Sequence, residues 1–129
     1  MEKLAQILER KPSLKLNPME RTAVNTRTKD EYWTLMRVYE TGRWTWKGGN
    51  LPREYDAFSK YGRETCVSAG VNFFGANIND KGKFECAKIS FYLRSRWNVI
   101  SYSEFYLKQN ITSDMVKEIN QWFDEKEKD

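Results

Sequence analysis

The chain is predicted to fold as an α+β domain, a small antiparallel sheet packed against two main helices with a short peripheral helix at the N-terminus. Three observations lead there. Two segments, one after Thr28 and one after Thr112, carry apolar residues at helical spacing behind a capping residue. Two strand-like runs, Thr65 to Phe74 and Lys83 to Ile89, flank the turn-rich tract Asn77-Ile78-Asn79-Asp80-Lys81-Gly82. Finally, 129 residues with 15% aromatics suit one core, large enough to need no disulfide or metal.

Along the chain, Leu4, Ile7 and Leu8 sit at helical spacing and Pro12 ends that helix early. Lys11 to Arg21 holds two of the three prolines without periodicity, so residues 1–21 are expected to form an N-terminal helix and a loosely packed arm. Residues 22–129 then make a single α+β domain. Thr22 to Thr26 alternates like a short strand. Thr28-Lys29-Asp30-Glu31 matches the capping box, and Tyr32, Leu35, Met36 and Tyr39 form one apolar stripe behind it. Gly42 is expected to supply the left-handed residue that ends this helix.

Leu51 to Gly62 lacks alternation and is expected to be a loop with a short helical turn. The runs Thr65 to Phe74 and Lys83 to Ile89 should pair as an antiparallel hairpin. Ser90 is placed to cap a turn carrying Phe91, Tyr92 and Leu93, before Trp97-Asn98-Val99-Ile100 resumes as strand. Ser101-Tyr102-Ser103-Glu104 repeats the capping box ahead of Phe105, Tyr106 and Leu107. From Thr112 a last helix stacks Met115, Ile119, Trp122 and Phe123 on one side.

Charge is uneven. The net charge is +4, yet residues 113–129 hold six acids against three bases, leaving 19 bases against 12 acids in residues 1–112. A basic body attracts anionic partners such as nucleic acid, nucleotides or an acidic protein surface, and equally serves solubility. Mean hydropathy is −0.80. No apolar run approaches a membrane span and the first residues lack a signal-peptide core, so a cytoplasmic location without membrane contact is expected. Cys66 and Cys86 are the only cysteines and read as small hydrophobes in a reducing compartment.

The chain has no histidine, which removes the commonest general base and the commonest metal ligand. Neither cysteine has a metal-ligand spacing, and Gly48-Gly49 is followed by no Lys-Ser or Lys-Thr, so it reads as a turn rather than a phosphate loop. No catalytic residue, metal or cofactor is expected; an enzyme would have to act through a lysine, tyrosine or carboxylate.

What remains is binding. In Arg43-Trp44-Thr45-Trp46-Lys47 two tryptophans alternate with cations on a strand-like run, sharing one face. Related interleaving recurs at Arg53-Glu54-Tyr55, Tyr61-Gly62-Arg63 and Arg94-Ser95-Arg96-Trp97. Rings stack on bases while guanidinium groups fork onto phosphates. Arg43, Trp44, Trp46, Lys47, Arg53, Tyr61 and Arg63 are therefore the candidate ligand-binding residues. The competing reading makes the rings core and the cations a solvated rim.

Glu31-Tyr32, Leu35-Met36, Tyr39-Glu40, Gly42, Trp44, Trp46, Gly48, Pro52, Tyr61, Thr65-Cys66, Val99-Ile100-Ser101 and Glu104-Phe105 together resemble a group of small accessory proteins of phages and prophages of Gram-positive bacteria. The resemblance spans roughly residues 22–108. Arg43 stands where that pattern has a glycine, and Phe58 where it often has a tryptophan. The pattern carries no enzymatic signature. By analogy with small phage proteins that inhibit host defence by binding, it implies a non-enzymatic counter-defence protein that neutralises a host nucleotide signal or a host defence protein. A homodimer would help such a protein enclose a ligand. The alternative is a nucleic-acid-binding accessory factor for phage replication or transcription.

Overall fold

Short strands that are buried on both faces build the centre of the molecule. The computed structural model describes residues 14–19, 21–46, 49–69, 83, 84 and 86–127. The expected helix around Leu4, Ile7 and Leu8 lies outside them, as does the Asn77–Gly82 turn tract. Strands β1 (Thr22–Asn25), β3 (Thr65–Ser68), β5 (Cys86–Lys88) and β6 (Asn98–Ser101) form one sheet in the order β5-β3-β1-β6. Beside it, β2 (Thr45–Trp46) pairs with β4 (Lys83–Phe84).

The α+β class holds, but the sheet is mixed rather than antiparallel. β3 pairs antiparallel with β5, the Thr65–Val67 to Cys86–Lys88 part of the expected hairpin, and also with β1; Lys83–Phe84, expected in that hairpin, instead pairs parallel with β2, and β1 and β6 run parallel as well. Turn chemistry fixes the direction of strands joined by a tight turn. β1 and β6 are joined instead through most of the chain, and nothing in either strand encodes direction.

Side-chain alternation sorts the sheet into two faces. Ala23, Cys66 and Val99 pack with Tyr92 and Trp97 on one. Val24, Val67 and Ile100 join the larger cluster of Tyr39, Phe105, Ile119 and Phe123 on the other. Cys66 is paired with Ala87 and Cys86 with Val67, so the two thiols lie on opposite faces of adjacent strands and no disulfide joins them.

Helix α1 (Lys29–Thr41) follows the capping expectation. Thr28 Oγ1 accepts the Glu31 N–H at 3.1 Å, and the Glu31 carboxylate accepts the Arg27 N–H at 2.9 Å. Tyr32, Leu35, Met36 and Tyr39 are all fully buried. The Tyr32 hydroxyl donates to Tyr55 O and accepts from Ala57 N–H, and the Tyr39 hydroxyl donates to Ser68 O. Burial drives both phenol pKa values well above their ordinary range.

The Leu51 loop holds two 3-10 turns, Pro52–Glu54 and Gly62–Glu64, around the short helix α2 (Phe58–Tyr61). Helix α3 (Ile89–Arg94) starts one residue before Ser90, with Lys88 at the cap position and no side-chain cap. Ser101 caps α4 (Tyr102–Lys108) through its hydroxyl and the Glu104 N–H. Thr112 Oγ1 accepts the Met115 N–H at the start of α5 (Ser113–Glu127), whose Ile119, Trp122 and Phe123 are buried.

Three helices end in the same way. After α1, Arg43 N–H bonds Glu40 O and Trp44 N–H bonds Tyr39 O. After α3, Arg96 and Trp97 do so to Leu93 and Tyr92; after α4, Asn110 and Ile111 do so to Leu107 and Tyr106. Each is a Schellman closure, with a left-handed residue and then an apolar residue folding back on the last turn. The left-handed positions are Arg43 (φ 63), Arg96 (φ 61) and Asn110 (φ 58). Trp44 and Trp97 close them by packing on Tyr39 and Tyr92, centroids 4.8 and 5.1 Å apart.

Gly42 was expected to be the left-handed residue, but its φ is −83. Its lack of a side chain serves packing instead, since a Cβ there would lie 2.5 Å from Leu16 Cγ. Leu16 belongs to the core. Asn17 exchanges two hydrogen bonds with the Gln109 amide, and Met19 N–H bonds Ala69 O. Residues 14–19 are thus docked on the domain, not loosely packed as the prolines suggested.

Two predictions follow from these positions. Arg43→Gly should raise thermal stability by about 1 kcal/mol, because glycine adopts a positive φ without the steric penalty of a side chain. For a chain of this length that is roughly 4 °C in a calorimetric melt. Separately, the Tyr106 hydroxyl is buried with no well-formed hydrogen bond to another described residue. Tyr106→Phe should therefore leave the urea midpoint unchanged or raise it by up to about 1 kcal/mol of stability, since it removes an unsatisfied polar group.

Candidate functional site

The sequence-derived set divides into buried and exposed members. Trp44 and Trp46 are 5% and 8% exposed; the core reading of the paired indoles is the one that the structure describes. Trp46 Nε1 donates to Pro52 O at 3.0 Å, and its ring meets Tyr55 edge-on with centroids 5.3 Å apart. The tight turn that follows is closed by Gly49 N–H to Trp46 O and Trp46 N–H to Asn50 O. Lys47, within that turn, lies outside the described residues.

Arg53 is built into the fold as well. Its guanidinium forks onto the buried Glu40 carboxylate, with Nε 2.9 Å from Oε1 and Nη2 3.3 Å from Oε2. Nη1 reaches Glu127 at 2.7 Å, and the group lies 4.5 Å above the Phe123 ring. Burial favours loss of the guanidinium proton, but the Glu40 hydrogen bond and charge, with those of Glu127, outweigh it, and the pKa is raised. Arg37 works alongside, pairing with Asp124 and Glu127 and bonding Asn120 Oδ1. The acidic end of the chain therefore folds back onto α1 through two arginines.

Tyr61 is half-buried against the core with the Lys60 ammonium 5.4 Å from its ring. Arg43 and Arg63 are exposed, but they do not share a site. Arg63 O accepts from Asn25 Nδ2, which places it where β1 ends and α1 is about to begin. Arg43 lies past the far end of α1, about 20 Å away along a helix of this length.

Arg43 has other company. β1 and β6 run parallel from Thr22 and Asn98, so Arg21 and Arg96 precede them at one end of the sheet. Arg21 Nη2 bonds Ser95 O at 3.1 Å. Arg94 ends α3 beside them. The last turns of α1 reach this end too, because Tyr39 bonds Ser68 and Ser68 is registered with Ala23. Arg21, Arg43, Arg94 and Arg96 are all exposed, and none forms an ion pair with another described residue.

Sequence reasoning had noticed Arg94-Ser95-Arg96 but not gathered it with Arg21. A signal was present: Lys88 to Ser103 contains three cations and no acid. The chemistry open to these cations is electrostatic, each guanidinium offering forked donors to a phosphate or carboxylate group. A reactive thiolate is not available at Cys66, because burial pushes its pKa up to about 12. Among the described residues no helix is long and apolar enough to cross a membrane. Comparison with known proteins offers no template for this site: no protein family, no curated protein and no solved structure matches the chain.

Proposed function

We propose that this chain is a non-enzymatic counter-defence protein of phage type, acting in the host cytoplasm, which binds and neutralises an anionic host-made ligand: a nucleotide signal or a defence protein with an acidic surface. The observation that carries this reading is the placement of Arg21, Arg43, Arg94 and Arg96, exposed and without an ion pair to another described residue, towards one end of the sheet. Guanidinium groups present paired donors to phosphate and carboxylate, and several together draw anions over long range. Trp44 and Trp46 are engaged in packing, so recognition runs through charge and forked hydrogen bonds rather than through stacking on those two rings. The lack of histidine and the protonated state of Cys66 favour binding over turnover.

The test is calorimetric titration of the full chain with cyclic nucleotides, linear nucleotides, polyglutamate and a short single-stranded DNA, at low and high salt. Saturable uptake of a nucleotide or of polyglutamate supports the proposal. Binding to DNA alone, falling steeply with salt as counterions are released, would point to a nucleic-acid accessory factor instead. Silence with every probe would overturn the arginine-end site.

A further inference from the structure

We infer that Arg37 and Arg53 form a second binding site, one that takes a glutamate side chain of a partner polypeptide and that Glu127 of this chain fills in its absence. The two guanidinium groups are held from behind. Arg37 Nη1 donates to Asn120 Oδ1 at 2.9 Å, and Arg53 directs Nε and Nη2 to the buried Glu40 carboxylate. Both groups lie over the Phe123 ring, 5.5 and 4.5 Å from its centroid, and Phe123 is fully buried. None of these contacts involves Glu127, so the pair stays oriented when Glu127 leaves.

The remaining arms converge on one carboxylate. Arg53 Nη1 reaches Glu127 Oε1 at 2.7 Å and Arg37 Nη2 reaches Glu127 Oε2 at 3.4 Å, one guanidinium to each oxygen. The position therefore matches the shape and charge of a carboxylate. Asp124 Oδ1 already sits 3.0 Å from Arg37 Nη2. That neighbour disfavours a phosphate, with its greater negative charge, and admits a single carboxylate. Glu127 itself shows that a glutamate side chain fits.

Glu127 is the contact that can give way. It lies in the last turn of α5 with its side chain 48% exposed, and surface ion pairs of this kind are weakly held. An open groove of about 670 Å³ leads from Glu127 along α5 past Asp124, Gln121, Asn120 and Lys117, with room for the polypeptide that carries the incoming side chain. The site uses none of Arg21, Arg43, Arg94 or Arg96, and so does not rest on the binding proposed for them.

The experiment is a nuclear magnetic resonance titration of the full chain with N-acetyl-glutamate amide, an isolated glutamate side chain. It reads the backbone amides of residues 120–127 and the side-chain N–H groups of Arg37 and Arg53, while the rest of the spectrum shows that each variant is folded. Wild type is expected to bind weakly, because Glu127 competes. Glu127→Ala should bind about two- to fivefold more tightly, the factor that corresponds to losing a surface ion pair. Glu118→Ala removes an exposed acid of the same helix and makes the same change in net charge, so its affinity should match wild type. The Glu127→Ala/Arg37→Ala double variant should lose the gain. A Glu127→Ala chain no tighter than wild type, an equal gain in Glu118→Ala, or a gain that survives Arg37→Ala would overturn the inference. Shifts confined to Arg21 and Arg94 would overturn it as well while supporting the arginine end, so the two proposals fail separately.

Discussion

Trp46→Ala is expected to lower stability by about 3–5 kcal/mol, the range for truncating a buried large aromatic. With a urea m-value of about 1.5 kcal/mol/M, the midpoint should fall by roughly 2–3 M. The ring is 8% exposed and packs against Tyr55, while its indole N–H is committed to Pro52 O. Trp46→Phe separates the two contributions: it keeps most of the packing, loses the hydrogen bond and should cost about 1 kcal/mol beyond the volume change. A Trp46→Ala chain that stays as stable as wild type would mean that the indole is not the core element described above.

Arg53→Ala should cost about 2–4 kcal/mol, because it strands the Glu40 carboxylate, only 6% exposed, without its partner. The Arg37 pairs with the exposed Asp124 and Glu127 should contribute less, at most about 1 kcal/mol each. Arg53→Lys should recover little, as an ammonium cannot fork onto the carboxylate or lie flat over Phe123. The sharper control is Arg53→Ala combined with Glu40→Leu. Removing both charges should restore most of the lost stability in a urea titration, whereas a double variant as unstable as the single one would place the effect elsewhere.

These two residues show where sequence reading succeeds and where it stops. Patterns within one element are legible: the Tyr32-Leu35-Met36-Tyr39 stripe and the hydroxyl caps of Thr28, Ser101 and Thr112 all act over a few residues. Long-range pairings are not. The parallel alignment of β1 with β6 and the fork from Arg53 to Glu40 and Glu127 join residues whose spacing carries no local signature. Gly42 illustrates a third case. Its position after α1 fits a left-handed terminus, yet that conformation falls on Arg43, and the glycine admits Leu16 from a segment that looked peripheral.

The candidate site suffered from the same limit. Alternation placed Trp44 and Trp46 on one face but could not say whether that face meets core or solvent. Aromatic residues interleaved with cations suggest stacking, whereas here the rings close helix ends and fill the core. The cations that remain outside collect according to strand direction, which the sequence does not encode.

The most direct measurement is the affinity of the Arg21→Glu/Arg43→Glu/Arg94→Glu variant for polyglutamate and for a cyclic nucleotide, set beside wild type at one salt concentration, with the urea midpoint of each chain. Reversing three exposed charges at the end of the sheet should weaken binding by at least about tenfold, a change of roughly 1.4 kcal/mol, while the midpoint stays within about 0.5 kcal/mol of wild type. Unchanged affinity in a folded triple variant would contradict recognition through the arginine end.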